Sequence, residues 1–255
     1  MTIDLKRMDE ISVLTLNRPE ALNALSFELI AHISDAIDEV AAGDSRALII
    51  RGAGDKAFCA GADIKELVGR ELADQKRGAE LGQATFAKLD SLPVSSIALI
   101  DGYAFGGGLE LALACTFRLG TRSAKMGLPE IKLGLIPGYG GTQRLPRIIG
   151  EARALELVLT GRTVDAEEAL RIGLVTRLID GNSLTGAMHF AREFSRYSLA
   201  TQSLAREAVR RALDAPLNEG LKTEATLSTL AYQTRDAAEG MAAFIEKRKP
   251  EFKDR

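Results

Sequence analysis

Residues 97–115 read Ile-Ala-Leu-Ile-Asp-Gly-Tyr-Ala-Phe-Gly-Gly-Gly-Leu-Glu-Leu-Ala-Leu-Ala-Cys, and they hold one carboxylate, Glu110, inside an apolar run. An ionised carboxylate among Leu109, Leu111, Ala112 and Leu113 is costly unless it is paired, hydrogen-bonded or reached by water. Immediately upstream, Gly106, Gly107 and Gly108 turn the chain from a strand-like into a helix-like segment. Backbone N–H groups at such a turn point outward and carry partial positive charge. They can hold a phosphate or a developing oxyanion; the same glycines equally suit a tight turn that lets strand and helix pack closely. A second carboxylate, Glu130, follows Pro129 among apolar neighbours, and by itself it also reads as a loop glutamate paired with Lys132. Residues 134–142, Gly-Leu-Ile-Pro-Gly-Tyr-Gly-Gly-Thr, either wall a pocket or make a sharp corner before a helix running through Leu145.

Several chemistries are disfavoured. Glycines at 102, 106, 107 and 108 do not make G-x-G-x-x-G, and no Gly-Lys-Ser/Thr follows them, so a nucleotide fingerprint is not met. The two histidines, His32 and His189, and the two cysteines, Cys59 and Cys115, stand far apart. They offer little to a zinc site, a Ser-His-Asp triad or a disulfide framework, and two reduced thiols are expected. A net charge of -2 gives no electrostatic reason for nucleic acid or an anionic membrane. No apolar run reaches the ~18 residues of a membrane span. Charged residues at Asp4, Lys6 and Arg7 do not suit a secretory signal or transit peptide, so a soluble, cytoplasmic protein is expected.

The elements that must position these groups are legible in outline. A chain of 255 residues with 46% hydrophobic content can build a large core. Residues 11–16, 47–51 and 95–100 predict strands, and 117–120 a further one. Ser26 predicts an N-cap for a helix carrying Phe27, Ile30, Ile33, Ile37 and Val40, closed by Gly43. Residues 66–90 predict a helix broken near Gly69 and Gly78. Leu155, Val158 and Leu159 line another, residues 166–172 a third, and 173–175 a turn into a short strand. Strand-then-helix units argue for an α/β layered core. From Leu184 onward the pattern predicts three or four helices and no strand, giving a core over 1–180 and a helical region over 181–255.

Four pieces taken together resemble the enoyl-CoA hydratase/isomerase (crotonase) family. They are residues 17–25 (Asn-Arg-Pro-Glu-Ala-Leu-Asn-Ala-Leu), 60–64 (Ala-Gly-Ala-Asp-Ile), 102–110 (Gly-Tyr-Ala-Phe-Gly-Gly-Gly-Leu-Glu), and Pro129-Glu130-Ile131 with Ile136-Pro137-Gly138. Their order and spacing fit along nearly the whole chain, and residues 244–250 resemble the family's tail. The resemblance implies an α/β fold of the ClpP/crotonase type, a spiral core of repeated ββα units with C-terminal helices used in trimer formation, and assembly as a homotrimer or a homohexamer. It implies an acyl-CoA thioester as substrate, with no metal and no redox cofactor, coenzyme A being part of the substrate.

Residue by residue, the resemblance assigns Ala62 N–H and Gly107 N–H to an oxyanion hole for a thioester enolate. It places Ala21, Leu22, Ala60, Asp63, Ile64, Gly106, Pro129 and Gly138 along the substrate and coenzyme A channel, and Lys247 against a coenzyme A phosphate. Hydratases of the family carry two glutamates, isomerases typically only the second, and both matching positions are glutamate here: Glu110 and Glu130. That implies syn addition of water to a trans-2-enoyl-CoA, with Glu110 as base, ionised by its place at a helix start, and Glu130 as acid. Other readings within the family are a dehydratase or isomerase of a special acyl-CoA, or a non-catalytic member that binds acyl-CoA or RNA.

Overall fold

The computed structural model describes residues 2–254; Met1 and Arg255 lie outside the described residues. The chain divides into two compact units, one ending at His189 and the other beginning at Phe190. The first unit opens with an antiparallel pair, β1 (Ile3–Met8) and β2 (Ile11–Leu16). β1 carries Asp4, Lys6 and Arg7 and is half-buried at most, so its pattern is too polar to stand out as a strand in the sequence.

Helix α1 (Phe27–Ala42) starts where the Ser26 hydroxyl accepts the Leu29 N–H at 3.1 Å, and Gly43 ends it. Its buried face is Leu29, Ile30, Ile33, Ala36, Ile37 and Val40, the 3.6-residue stripe of a helix lying on a core.

Three strand pairs follow, each joined by a short turn. β3 (Ala47–Gly52) leads to β4 (Ala57–Cys59), β5 (Ser95–Ile100) to β6 (Tyr103–Phe105), and β7 (Phe117–Thr121) to β8 (Lys125–Gly127). The first strand of each pair joins one sheet, ordered β1-β2-β3-β5-β7-β10, where β10 is Arg177–Ile179. The second strand of each pair joins another, ordered β4-β6-β8-β9, where β9 is Val164–Asp165. Helices follow β4 and β6: α2 (Ile64–Leu67) with α3 (Leu72–Ser91), and α4 (Gly107–Ala114). A 3-10 turn at Pro129–Leu133 follows β8. The unit is thus a repeated ββα device that alternates between two sheets. β3, β5 and β7 are parallel and almost wholly buried, which is why they read as continuous apolar runs. Beyond the 3-10 turn come α5 (Gly141–Ile149), α6 (Glu151–Thr160) and α7 (Ala166–Arg171).

Two expectations are corrected. The helix over residues 66–90 does break at Gly69, which adopts φ +75°, but not at Gly78. Gly78 stays helical, and a Cβ there would fall 2.7 Å from the Phe27 ring, so its role is close packing. In α6 the buried positions are Ala154 and Leu157, while Leu155 and Leu159 are exposed.

The second unit is helical: the end of α8 (Ser183–Ser195), then α9 (Leu199–Arg211), α10 (Leu217–Ala231) and α11 (Arg235–Glu246). The division falls inside α8, nine residues beyond the change in sequence pattern at 180. No helix among the described residues is long and apolar enough to cross a membrane.

Close approach at Gly108 sets where α4 crosses β4, because a Cβ there would fall 2.1 Å from the Cys59 carbonyl oxygen. A glycine-to-alanine change inside a helix ordinarily gains about 0.5–1 kcal/mol. At Gly108 the backbone oxygen cannot swing aside, and overpacking of this kind costs about 1–3 kcal/mol or more. Gly108→Ala is therefore expected to lower stability, seen as a reduced urea midpoint with an unchanged slope.

Candidate active site

Glu110 occupies the first turn of α4 and is 1% exposed. Its Oε1 accepts two backbone hydrogen bonds, from Tyr139 N–H at 2.8 Å and Gly141 N–H at 2.7 Å. Both donors belong to the N-terminal end of α5, whose first N–H groups have no partner inside their own helix. The glycine-rich stretch at 134–142 therefore does two jobs: it walls the pocket and it solvates the buried carboxylate. A Cβ on Gly141 would lie 3.0 Å from both Cγ and Oε1 of Glu110 and 3.1 Å from the Pro137 side chain. Only the absence of a side chain lets the N–H come this near.

Burial pushes the Glu110 carboxyl up to about 7, and the negative charge of Glu130 adds to the rise, against the lowering effect of the Gly141 and Tyr139 N–H groups. The helix-start location was expected to keep this group ionised. The structure corrects that: burial outweighs the favourable backbone contacts, and the relevant helix start is that of α5.

Glu130 lies in the 3-10 turn after β8, which Pro129 opens. Burial raises its carboxyl as well. Its Oε2 is buried and has no hydrogen-bond partner among the described residues. Its Oε1 would be 2.7 Å from a Cβ on Gly106, which adopts φ +49°. Glu130 thus faces the glycine turn and is not the exposed partner of Lys132.

Two backbone N–H groups complete the arrangement. Leu25 and Ala62 form an isolated parallel bridge in which Leu25 N–H donates to Gly61 O and Asp63 N–H donates to Leu25 O, each at 2.8 Å. Extended backbone alternates, so with Gly61 and Asp63 turned toward Leu25, the Ala62 N–H points the other way. Gly107 is the first residue of α4, and its N–H is one of that helix's orphan donors. Both residues line a cavity of about 290 Å³. A Cβ on Gly61 would be 3.9 Å from the Gly107 nitrogen, so the two donors are on touching segments.

Glu110, Glu130, Ala60, Ile64, Gly106, Pro129 and Gly138 line the same cavity. Ala21, Leu22 and Asp63 lie beside it without lining it. Ala21 and Leu22 end the short 3-10 turn that hydrogen-bonds to Ala60, and the Asp63 carboxylate accepts from Arg18. Lys247, in the second unit, is the left-handed C-cap of α11.

Tyr139 was not singled out in the sequence. Its ring packs edge-on against Phe86, with centroids 5.9 Å apart, and fits over Gly82 and Gly107. Burial raises its hydroxyl to about 12, so it stays protonated. Cys59 and Cys115 are free and buried, and burial raises both thiols to about 12, which leaves no thiolate for chemistry.

Comparison with known proteins points to one family. The family model described as enoyl-CoA hydratase/isomerase matches residues 6–255. A probable enoyl-CoA hydratase of Mycobacterium bovis is 46% identical over 256 residues, covering 100% of this chain and 98% of that protein. A crotonyl-CoA hydratase of Syntrophomonas wolfei is 38% identical, covering 98% and 97%. The crystal structure of an enoyl-CoA hydratase from Bacillus anthracis superposes with a TM-score of 0.95 at 37% identity, covering 100% of both chains.

The raised Glu110 carboxyl makes a stability prediction. Its folded value lies above the unfolded one, so the unfolded chain releases the proton first and stability falls as pH rises. Relative to wild type, Glu110→Gln should gain stability between about pH 4.5 and 7 and hold that gain above it. Converted at about 1.36 kcal/mol per unit, the gain is about 3 kcal/mol, measurable by denaturant titration across pH.

Proposed function

The chain belongs to the enoyl-CoA hydratase/isomerase family, and we propose that it adds water across the 2,3 double bond of a trans-2-enoyl-CoA to give a 3-hydroxyacyl-CoA. The observation that carries this reading is the pairing of two pocket glutamates in unlike environments with the Ala62 and Gly107 backbone N–H groups on the same cavity. The same pocket could not be assigned from the fold alone, since one fold serves many reactions.

Hydration needs a water deprotonated as it attacks C3, a place for the negative charge that arrives on the thioester oxygen, and a proton delivered to C2. Glu110 suits the first task. Two N–H donors support its ionised form, and a carboxyl near 7 is matched to proton transfer at neutral pH. Ala62 and Gly107 suit the second, each such donor being worth about 2.7–4 kcal/mol in comparable sites. Glu130 suits the third, because an unpartnered buried Oε2 favours the protonated carboxyl. Acid and base acting from one side on one water give syn addition. The step adds H and OH without any change in electron count, so it needs no redox cofactor, and coenzyme A arrives as part of the substrate.

The two carboxyls interact, so their titrations belong to the pair. Lys247 is exposed and supplies a cation for a coenzyme A phosphate. We place the protein in the cytoplasm, in fatty acyl-CoA breakdown, as a homotrimer or homohexamer. Large exposed apolar residues support assembly: Leu155 and Leu159 in the first unit, Phe244 and Ile245 in the second.

Three outcomes are expected. Purified protein mixed with crotonyl-CoA should deplete the conjugated-enoyl absorbance, and failure across short, medium and long enoyl chains would overturn the reading. Glu110→Gln and Glu130→Gln should each lower kcat by about 10²–10⁴. The kcat/KM profile should be bell-shaped, rising as the Glu110–Glu130 pair gives up its first proton and falling as the second leaves.

A further inference from the structure

The oxyanion hole is made of backbone, so its geometry must be fixed by groups that never touch substrate. Gly107 is held by a full helix. Ala62 is not: it rests on an isolated bridge to Leu25, with no ladder on either side. What fastens that bridge is Arg18. One arm of its guanidinium donates to the Ala24 carbonyl at 2.7 Å, the residue before Leu25; the other donates to Asp63 Oδ2 at 3.0 Å, the residue after Ala62. The fork therefore spans the bridge from both sides. The pair is largely shielded, at 20% and 17% side-chain exposure.

The loop carrying this clamp is under strain that would otherwise relax. Leu22 and Asn23 both lie in the left-handed region, at φ +51° and +57°, which Asn tolerates and a branched apolar residue such as Leu rarely adopts. Fully buried Asn23 pins the loop to the strand pair below it: Oδ1 accepts from Arg18 N–H, and Nδ2 donates to Ala53 O and Ala57 O. The Arg18–Asp63 contact joins this frame by side chains to the segment that presents Ala62. Asp63 Oδ1 meanwhile accepts Lys65 N–H as the N-cap of α2.

We propose that Arg18 and Asp63 are a positioning pair for the proposed hydration, acting through the Ala62 N–H to set the oxyanion hole. The inference rests on the hydratase reading and assigns to these residues the enolate-like transition state, not the binding of coenzyme A.

The test uses the full chain and three variants. Arg18→Met removes the clamp, Arg18→Lys offers one donor group where the fork reached two acceptors, and Asp63→Asn removes the charge while keeping an N-cap oxygen. Deleting an oxyanion donor outright costs about 10²–10³ in kcat. Displacing one should cost less, roughly tenfold, with KM within about twofold and Arg18→Lys intermediate. The second readout is a pair of ligands. Acetoacetyl-CoA carries an acidic C2 and binds as its enolate, whose near-ultraviolet absorbance reports the hole; butanoyl-CoA has no enolate at neutral pH. Loss of affinity and of enolate absorbance for acetoacetyl-CoA, with butanoyl-CoA affinity retained, is the expected result. Parallel loss for both ligands, a rise in KM at constant kcat, or no change in either would overturn it. The ratio of the two affinities is independent of the folded fraction, and it judges the pair apart from the hydratase reading, which falls only if wild-type protein hydrates no enoyl-CoA.

Discussion

The structure depends on making a buried carboxylate bearable. Glu110 sits in an apolar helix against a second carboxyl and is 1% exposed. Two backbone N–H groups at the start of α5 support its charge. They are preorganised because the loop before them is held from α3: Gln83 donates to the Gly138 carbonyl at 2.8 Å, the Tyr139 ring packs on Phe86, and Arg144 of α5 makes a bidentate pair with Asp90. The contacts soften the cost without abolishing it, and a carboxyl near 7 is the result. A fully satisfied carboxylate would be too weak a base, and a wholly unsatisfied one would stay protonated.

The ββα repeat makes this arrangement possible. Each unit sends a strand from the large sheet to the small one and then releases the chain where the next segment can meet it. The releases after β4, β6 and β8 deliver Ala62, Gly107 with Glu110, and Glu130 to one cavity. Close approach between these releases is reserved for glycine. Gly106 admits Glu130, Gly141 admits Glu110, and Gly108 admits the Cys59 carbonyl. The glycines therefore act as space for another residue's functional group more than as flexible joints.

Much of this was legible in the sequence because strong local rules marked it. Buried parallel strands announce themselves as apolar runs, and Ser26 with a helical stripe marks α1. Glu110 stood out as a charge in the wrong company. What the sequence hid was tertiary in origin. β1 is polar, while β4, β6, β8 and β9 have three residues or fewer, too short for any periodicity. Gly78 carried a helix-breaking signal that packing against Phe27 overrode. The donors to Glu110 come from residues 29 and 31 positions away, so a reading of the helix start nearest in sequence credited the wrong helix. Gly-Gly-Thr entering a helix was the available clue, since every such entry leaves N–H groups seeking an acceptor.

The asymmetry of the two glutamates follows from what each meets. Glu110 has two donors and lies fully inside; Glu130 has an oxygen with none. Two carboxyls in one pocket repel when both are ionised, so the site favours one proton shared unequally between them. Backbone donors ease the charge on Glu110, and hydration draws on the pair with that charge on Glu110 and the proton on Glu130. That state is the one hydration requires at the start, with a base ready to take a proton and an acid ready to give one. After one turnover the proton has passed from water to Glu110 and from Glu130 to C2, so the pair ends with its single proton on the other member. The next cycle then needs only that proton to move between neighbours.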